Sequence, residues 1–299
     1  GDYFKQDQLS WFFEFLTEEL KLDPKKLYVS VFSGDKENKI PKDEEAIDIW
    51  KKLFAKKGID AKTVDIVTAE VGSKLGMRGG RIFSYGAKKN WWSRSGAPEN
   101  MPPGELGGPD SEVFYEFTSV KHDTKYGEKC HPNCDCGRFL EIGNSVFMEY
   151  KKSANGEFGK LKQRNVDFGG GLERTVAAMA DDPDIFRNDV FQALFEDIRI
   201  RHGWNYDDAS EKEKRAMRIV ADHMRSAAFM IGDGVYPSNT EQGYILRRLI
   251  RRAILSAHEF NSQTSDLYAL LETIMTAYKI SYPVLLAKAA EIQEVFKAE

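Results

Sequence analysis

The 299-residue chain is long enough for two domains of ordinary size, and its 41% hydrophobic residues suffice to build packed cores. A formal net charge of −4 excludes a chain coated with basic surface, so any nucleic-acid contact requires a local patch. The chain has no apolar run near the ~18 residues of a membrane span, and its first residues lack the blocks of a secretory signal. We therefore predict a cytoplasmic globular protein without membrane contact.

The first part of the chain predicts helices and strands in quick succession. An apolar stripe from Leu9 to Leu20 has helical spacing, and nothing precedes it to cap or cover the helix, which indicates an earlier segment in the natural protein. LYVSVF, at 27–32, alternates as a half-buried strand, and 43–57 carries a second helical stripe. Residues 72–110 are rich in Gly, Pro, Asn and Arg, a composition that predicts a long functional loop.

The middle of the chain predicts strands, and the remainder predicts helices. Strand patterns at 111–117, 138–150 and 165–168 follow one another without crossover helices, which favours an antiparallel sheet. From about residue 184 helical periodicity takes over. The sequence therefore predicts an α+β fold with two domains, residues 1–183 with a sheet flanked by helices and residues 184–299 all helical.

The most specific segment is NVDFGGGLERTVAAM, in which a short strand runs through three glycines into a helix. Exposed amide groups at such a helix start suit a phosphate, and Arg174 on the first turn adds a fixed charge. Asp167, just before the glycines, could hold an ammonium group. A tight turn in which Arg174 pairs with Glu173 or another carboxylate is the alternative, and a glycine run alone favours it.

Four segments in order resemble signatures of the alanyl-tRNA synthetases, a family of class II aminoacyl-tRNA synthetases. DFGGGLER is similar to the third class II motif as the alanine enzymes carry it. The other three precede it: KNWW at 89–92 resembles K-N-F-W, GGPDSE at 107–112 resembles G-P-x-S-E, and EIGNSVFM at 141–148 resembles E-I-W-N-x-V-F-M. Further downstream, ADHMRSAAFMIGDGVYPSN and GYILRRLIRRA resemble the acceptor-stem-binding segments of the family's helical domain. The resemblance covers nearly the whole chain.

The resemblance implies a class II synthetase-type antiparallel sheet and an alanine–tRNA ligase that uses ATP and Mg²⁺. Alanine would be activated by attack of its carboxylate on the α-phosphorus of ATP and then transferred to the terminal adenosine of tRNA(Ala). The implied catalytic residues are Asp167 for the alanine ammonium, Trp92 and Asn144 for the amino-acid pocket, and Arg174 for a phosphate. Gly169 and Gly171 would leave room for ATP, and Glu141 would hold Mg²⁺. Taken singly, Trp92, Asn144 and Glu141 are better interpreted as packing or surface residues, and it is the joint order of the motifs along the chain that favours the functional interpretation.

The helical half carries a candidate tRNA-binding face. Arg247, Arg248, Arg251 and Arg252 lie on one side of a predicted helix at 242–255, which could follow a phosphate backbone. Periodicity alone favours a solvated face paired with local carboxylates. The resemblance tips this choice, because it places Asn239 at the family's base-pair-reading position, where an amide offers both a donor and an acceptor.

The loop CHPNCDC offers a candidate zinc site. Cys130, Cys134 and Cys136, with His131, are residue types that bind Zn²⁺, although the spacing is not that of two Cys-x-x-Cys knuckles. A reduced surface loop without metal is the alternative. The family's better-known zinc position lies in an editing domain that this chain does not contain.

The chain also departs from the family pattern. The family's first motif and the arginine-bearing part of its second should precede residue 1, the G-P turn lacks Cys, Trp91 stands for Phe, and Gly143 stands for Trp. The truncated chain alone could therefore be inactive. Two functions stay open: the catalytic core of an alanine–tRNA ligase, or a non-catalytic tRNA-binding module that keeps Asn239 and the arginine face. Oligomeric state is not predicted.

Overall fold

The computed structural model describes residues 2–260 and 264–299. The chain divides into two compact units, Gly1–Ile185 and Phe186–Glu299. This division lies close to the boundary predicted after residue 183. Within the described residues, none of the helices combines the length and the apolar character that crossing a membrane would require.

The first unit is built on one seven-stranded sheet. The strands are β1 (Leu27–Phe32), β2 (Thr63–Val67), β3 (Ile82–Tyr85), β4 (Trp91–Ser93), β5 (Leu106–Glu116), β6 (Phe139–Lys152) and β7 (Phe158–Gly170). Their main order in the sheet is β2-β3-β1-β5-β6-β7, and β4 pairs with β5. The pairs β1–β5, β4–β5, β5–β6 and β6–β7 are antiparallel, whereas β1–β3 and β2–β3 are parallel. The predicted α+β class with a mostly antiparallel sheet is confirmed.

The described residues of this unit contain five α-helices: α1 (Lys5–Glu14), α2 (Glu44–Lys56), α3 (Ala69–Leu75), α4 (Ala87–Asn90) and α5 (Leu172–Ala180). The apolar side of α1 and α2 packs with one face of the central strands, and Trp50, Phe54 and Phe147 are among the fully buried side chains of that core. Apolar burial of this kind is the main driving force for the unit. The opposite face carries two smaller apolar clusters, one with Phe32, Trp91 and Tyr150 and one with Phe83 and Tyr85.

A buried ion triad links two helices to the sheet. Lys5 Nζ of α1 lies 2.8 Å from Asp43 Oδ1 and 3.0 Å from Glu149 Oε1 of β6, and all three side chains are at most 5% exposed. Asp43 also caps α2, because its carboxylate accepts a hydrogen bond from the Ala46 backbone N–H. The triad therefore fixes how α1 and α2 meet the sheet.

The prediction of a long loop at 72–110 is wrong for much of that segment. It contains β3, α4, β4 and most of α3, and the strand β2 precedes it. The four residues of β3 are all buried, since this strand lies between two parallel neighbours, and such a strand shows no alternation in the sequence.

The regular elements described in the second unit are all helices. Twenty-five buried side chains among its described residues form a core, including Met217, Met224 and Ile231 of its longest described helix. That helix begins with a capping box, in which the Ser210 and Glu213 side chains bond reciprocally to backbone N–H groups. The helices are α6 (Asp189–His202), α7 (Glu211–Gly232), α8 (Glu241–Ala257), α9 (Thr264–Ala277), α10 (Pro283–Ala287) and α11 (Ala289–Ala298).

Candidate active site

Polar side chains collect on the face of β5, β6 and β7 that points away from α1 and α2; we call it the site face. Directly paired residues of antiparallel strands lie on the same face. Asp110 of β5 is opposite Val146 of β6, which is opposite Asp167 of β7. In the next row Glu112 is opposite Asn144, and Asn144 is opposite Gly169. The register therefore brings Asp167, Asn144 and Gly169, three predicted site residues, onto one surface.

A bulge in β6 adds a further carboxylate to this face. Val113 pairs with Gly143 but Phe114 pairs with Glu141, so Ile142 is an extra residue in β6. Regular alternation would send Glu141 to the face that packs on α1, where Gly143 meets the Phe12 ring. The bulge instead turns Ile142 into the core and Glu141 toward Asp110 and Glu112.

A hydrogen-bonded network holds the two carboxyls of β5. The Asn90 side-chain amide donates to Asp110 Oδ1 at 3.0 Å and to Ser30 Oγ at 2.8 Å. Ser30 Oγ in turn donates to Glu112 Oε2 at 2.8 Å. Asn90 is fully buried at the end of α4, so this network is sealed on the β1 side.

The environment of these carboxyls disfavours their charged forms. Burial raises the pKa of Asp110 and the neighbouring charge of Glu141 adds to that rise, while hydrogen bonds from Asn90 and Asn144 oppose it. Burial also raises the pKa of Glu112, and the charges of Asp110 and Glu141 act in the same direction. A cation placed among these groups would restore their charged forms, which makes the cluster suited to an ammonium group or a hard metal ion.

The glycine-rich turn between β7 and α5 places Arg174 beside Glu141. Arg174 Nη1 donates to Glu141 Oε2 at 3.1 Å and to the Glu141 backbone oxygen at 3.2 Å. The ion pair is solvent-accessible, with the two side chains 45% and 34% exposed. Gly171 is the N-cap residue of α5, and a Cβ there would lie 2.9 Å from the Arg174 side chain, so a larger residue would displace that side chain. The structure thus joins the predicted phosphate-binding and magnesium-binding residues in one pair.

The open end of the site face is formed by β7. A Cβ built on Gly169 meets nothing within 4 Å, and Asp167 is exposed. The side-chain oxygen of Asn144, opposite Gly169, is buried and accepts no hydrogen bond from the described residues. An acceptor, a carboxylate and open space therefore lie together, and a small molecule with an ammonium group could use all three.

Trp92 lies on β4 opposite Gly108 of β5, and its ring is 41% exposed. Its neighbour Trp91 is buried against Phe32, Tyr150 and Phe158, so Trp91 is the packing residue of the pair. An exposed ring next to the site face can form the wall of a small pocket.

Sequence reasoning assigned no role to three residues that the structure places at the centre of the cluster: Asn90, Asp110 and Glu112. All three belong to the KNWW and GGPDSE segments, so a signal was present. What the sequence lacked was the register that puts β1, α4, β5 and β6 side by side.

In the second unit, Asn239, Arg247 and Arg251 belong to one hydrogen-bonded group, and Arg248 contacts a neighbouring ring. Arg247 donates to the Asn239 side-chain oxygen and, at 2.7 Å, to Glu299. Arg251 also donates to Glu299, at 3.2 Å. Arg248 is exposed beside the Tyr244 ring, with 5.7 Å between the guanidinium carbon and the ring centroid. Glu299 thus pairs with two of these arginines, as in the alternative of a face paired with local carboxylates. We call the surface of Arg247, Arg248 and Arg251 the basic surface.

The cysteine loop differs from its prediction in one ligand. Cys130, Cys134 and Cys136 do come together, but the histidine beside them is His122 rather than His131. His131 is buried and its Nδ1 forms a hydrogen bond of 2.9 Å with the Tyr85 hydroxyl.

Comparisons with known proteins agree on one family. The model of the family "tRNA synthetases class II (A)" matches residues 1–299. The chain is 35% identical to an alanine–tRNA ligase of Petrotoga mobilis over 297 residues, which are 99% of this chain and 30% of that protein. It is 37% identical to that of Treponema denticola over 260 residues, 85% of this chain and 37% of that protein, and 34% identical to that of Borreliella afzelii, covering 100% and 45%. The chain therefore spans less than half the length of these relatives, and it belongs to the class II (A) family of tRNA synthetases.

Proposed function

We propose that this chain carries the adenylate-forming and acceptor-stem-binding parts of an alanine–tRNA ligase. The relatives described above bear that name, and the site face offers groups for each substrate. The observation that carries the proposal is the row formed by Glu112, Asn144 and Gly169, with Asp167 beside it, next to the glycine turn that holds Arg174.

Alanine would bind at the open end of the site face. The carboxylate of Asp167 would accept the alanine ammonium group, and the unpaired side-chain oxygen of Asn144 would accept a further hydrogen bond. Trp92 would form a wall of the pocket, and Gly169 would leave room for the substrate backbone. A pocket bounded in this way suits a side chain as small as a methyl group.

ATP and Mg²⁺ would bind at the start of α5. Arg174 has a planar fork of donors suited to phosphate oxygens, and the uncapped N-terminus of α5 at Gly171 adds backbone N–H groups. A phosphate that bound Arg174 would replace Glu141 as its partner. Glu141 would then be available to Mg²⁺ held against the same phosphates, since this ion prefers carboxylate and phosphate oxygens.

The reaction requires positioning and charge neutralisation rather than a protein nucleophile. An oxygen of the alanine carboxylate attacks the α-phosphorus of ATP, and the bond from that phosphorus to pyrophosphate breaks. A ribose hydroxyl of the terminal tRNA adenosine then attacks the alanyl carbonyl carbon and loses its proton; an ester forms, the acyl–phosphate anhydride bond breaks, and AMP leaves with the electrons of that bond. In this scheme Asp167 fixes the nucleophile, and Arg174 holds the phosphates in line.

The acceptor stem of tRNA(Ala) would bind the basic surface of the second unit. Arg248 and Arg251 would contact phosphates, and Arg247 would orient the Asn239 side chain through their hydrogen bond. Asn239 would keep its amide N–H donors for a base edge in the stem. We expect this binding to weaken steeply with salt because it rests on phosphate contacts.

Alanine-dependent exchange of pyrophosphate into ATP tests the proposal. We would assay this chain and a longer form that includes the flanking sequence, each with Asp167→Asn and with the exposed control Asp60→Asn. Exchange that needs alanine, is lost in D167N and is kept in D60N would support adenylate formation at this site. Absence of exchange in the longer form would contradict the enzyme function and leave tRNA binding as the activity to measure.

A further inference from the structure

Four potential metal ligands converge in the connection between β5 and β6, residues 117–138. The Sγ atoms of Cys130 and Cys136 are 3.5 Å apart, and the Sγ atom of Cys134 is 3.7 Å from Nδ1 of His122. The four ligand atoms all lie within 4.8 Å of one another. From this geometry we propose that His122, Cys130, Cys134 and Cys136 form a structural Zn²⁺ site, which we call the Cys₃His site.

The spacing of the ligand atoms fits tetrahedral coordination. Sulfur atoms at about 2.3 Å from a central zinc ion lie roughly 3.8 Å from each other, and a sulfur–nitrogen pair lies slightly closer. The separations of 3.5 Å and 3.7 Å in the Cys₃His site are close to these values. A disulfide would require about 2.05 Å between Cys130 and Cys136, so the thiols are free rather than bonded to each other. Soft thiolate and imidazole donors in this arrangement select Zn²⁺ over hard cations.

The orientation of the His122 ring supports its role as a ligand. Its Nε2 lies 2.9 Å from the Gly127 carbonyl oxygen, to which it donates a proton, so the neutral ring keeps its lone pair on Nδ1. That nitrogen points toward Cys134. Ligand histidines in proteins are held in this way, with the second ring nitrogen bonded to a carbonyl or carboxylate.

His131 is occupied elsewhere, although it is adjacent to Cys130 in sequence. Its ring is 2% exposed and bonds to the Tyr85 hydroxyl. A Cβ added at Gly72 in α3 would lie 2.9 Å from the same ring, so His131 packs tightly against that helix. His131 therefore packs against α3, whereas His122 is a proposed ligand. Substituting each histidine in turn distinguishes metal binding from loop packing.

The Cys₃His site would hold together a long connection that has little regular structure. Apart from one short helical turn at Thr124–Tyr126, no helix or strand occurs in residues 117–138, all of which the structure describes. Loops of this length inside a compact domain usually need a further constraint. The connection joins the strands that carry Glu112 and Glu141, so a metal here would stabilise the site face from one end. This inference goes beyond the proposed function, because the ligands belong to neither substrate pocket.

Metal analysis of the purified chain tests the inference. We would prepare the chain under reducing conditions with zinc, remove loose metal by dialysis and measure bound zinc by mass spectrometry. We expect one equivalent per chain, lost in His122→Ala and Cys136→Ser, and kept in His131→Gln and in the exposed control His258→Ala. Zinc absent from the wild-type chain, or zinc lost in H131Q but kept in H122A, would overturn the assignment.

Cobalt substitution keeps the inference testable if the variants fail to fold. The wild-type chain loaded with Co²⁺ should show the intense visible bands of tetrahedral cobalt together with thiolate-to-metal charge transfer. Weak bands of octahedral cobalt, or no protein-dependent spectrum, would contradict a Cys₃His site. Activity is not part of either readout, so this test can fail while alanine-dependent exchange succeeds, and the reverse.

Discussion

Removing Lys5 from the buried ion triad should destabilise the first unit strongly. In Lys5→Met the side-chain volume is nearly kept, but Asp43 and Glu149 lose the ammonium that neutralises them at 2.8 and 3.0 Å. The pKa of Lys5 is itself raised: burial lowers it, but the nearby charges of Asp43 and Glu149 outweigh that effect. The triad is therefore net attractive, and the two carboxylates carry the cost of the substitution.

The expected loss of stability in Lys5→Met follows from the burial of Asp43 and Glu149. Breaking a buried ion pair by removing one member costs about 3–5 kcal/mol, because a charge is left buried without compensation. Lys160 lies 3.7 Å from the other oxygen of Glu149 and can take over part of that charge, which favours the lower end. We expect a loss of about 3 kcal/mol in the free energy of unfolding, or roughly 6–12 °C in Tm for a unit of this size.

Tryptophan fluorescence during urea unfolding measures this loss in the right unit. Four of the five tryptophans lie in the first unit, and replacing Trp204 by Phe would make the signal specific to it. Lys57→Met is the matched control, because Lys57 pairs with Glu18 at the surface and such pairs contribute about 0–1 kcal/mol. If K5M cost no more than K57M, the argument from buried charge would be refuted. Adding Glu149→Gln to K5M should recover part of the stability.

Three further predictions concern the site face and the basic surface. Because the pKa of Asp110 is raised, the folded chain keeps a proton on this carboxyl that the unfolded chain releases above about pH 4. The free energy of unfolding should therefore fall as the pH rises above that value. Asp110→Asn should flatten that fall in pH-dependent urea titrations, and an unchanged slope would contradict it. Gly108→Ala should lower the free energy of unfolding by about 3 kcal/mol or more, because its Cβ would lie 1.8 Å from a backbone oxygen of β6. Gly169→Ala should change that free energy, measured in urea, by no more than about 0.5 kcal/mol, but it should reduce alanine-dependent exchange. Arg248→Glu should weaken tRNA binding and lower its salt slope by about 1, measured by filter binding against the exposed control Arg215→Glu; equal effects would argue against a specific face.

Periodic patterns predicted the elements whose side chains face one core. The helix at Glu44–Lys56 lies within a residue of its predicted bounds, because one stripe of it is buried. The strand at Leu27–Phe32 has its predicted bounds, but it is buried on both faces, so the prediction of a half-buried strand is wrong. The strand β7 is longer than predicted, beginning at Phe158 rather than 165, since its side chains are mostly exposed and polar. Patterns of apolar residues carry no signal where neither face is buried, or where both are, as in β3.

The sequence predicted those site residues that belong to a single local motif. Asp167 and Arg174 stand out locally because a glycine run separates them, and their neighbourhood in space follows from one turn. Asn90, Asp110 and Glu112 come from α4 and β5, and their meeting depends on strand pairing that no local window contains. His122 is a different case, because it lies in the same connection as the three cysteines, yet His131 is adjacent to Cys130 and was the more obvious ligand in the sequence.

The bulge at Ile142 explains why the alternation of β6 was misleading at the point that matters most for function. Read with a strict period of two, Leu140, Ile142 and Val146 share a face with Asn144, and Glu141 belongs to the other face. The extra residue reverses this order below Gly143, so that Ile142 joins the apolar core and Glu141 joins the carboxyl cluster. Without the bulge, Arg174 would lack its partner and the proposed Mg²⁺ ligand would point into the apolar packing of α1. One inserted residue therefore converts a strand that stabilises the fold into one that also carries the site, and its effect on side-chain direction is invisible until the partner strand is known.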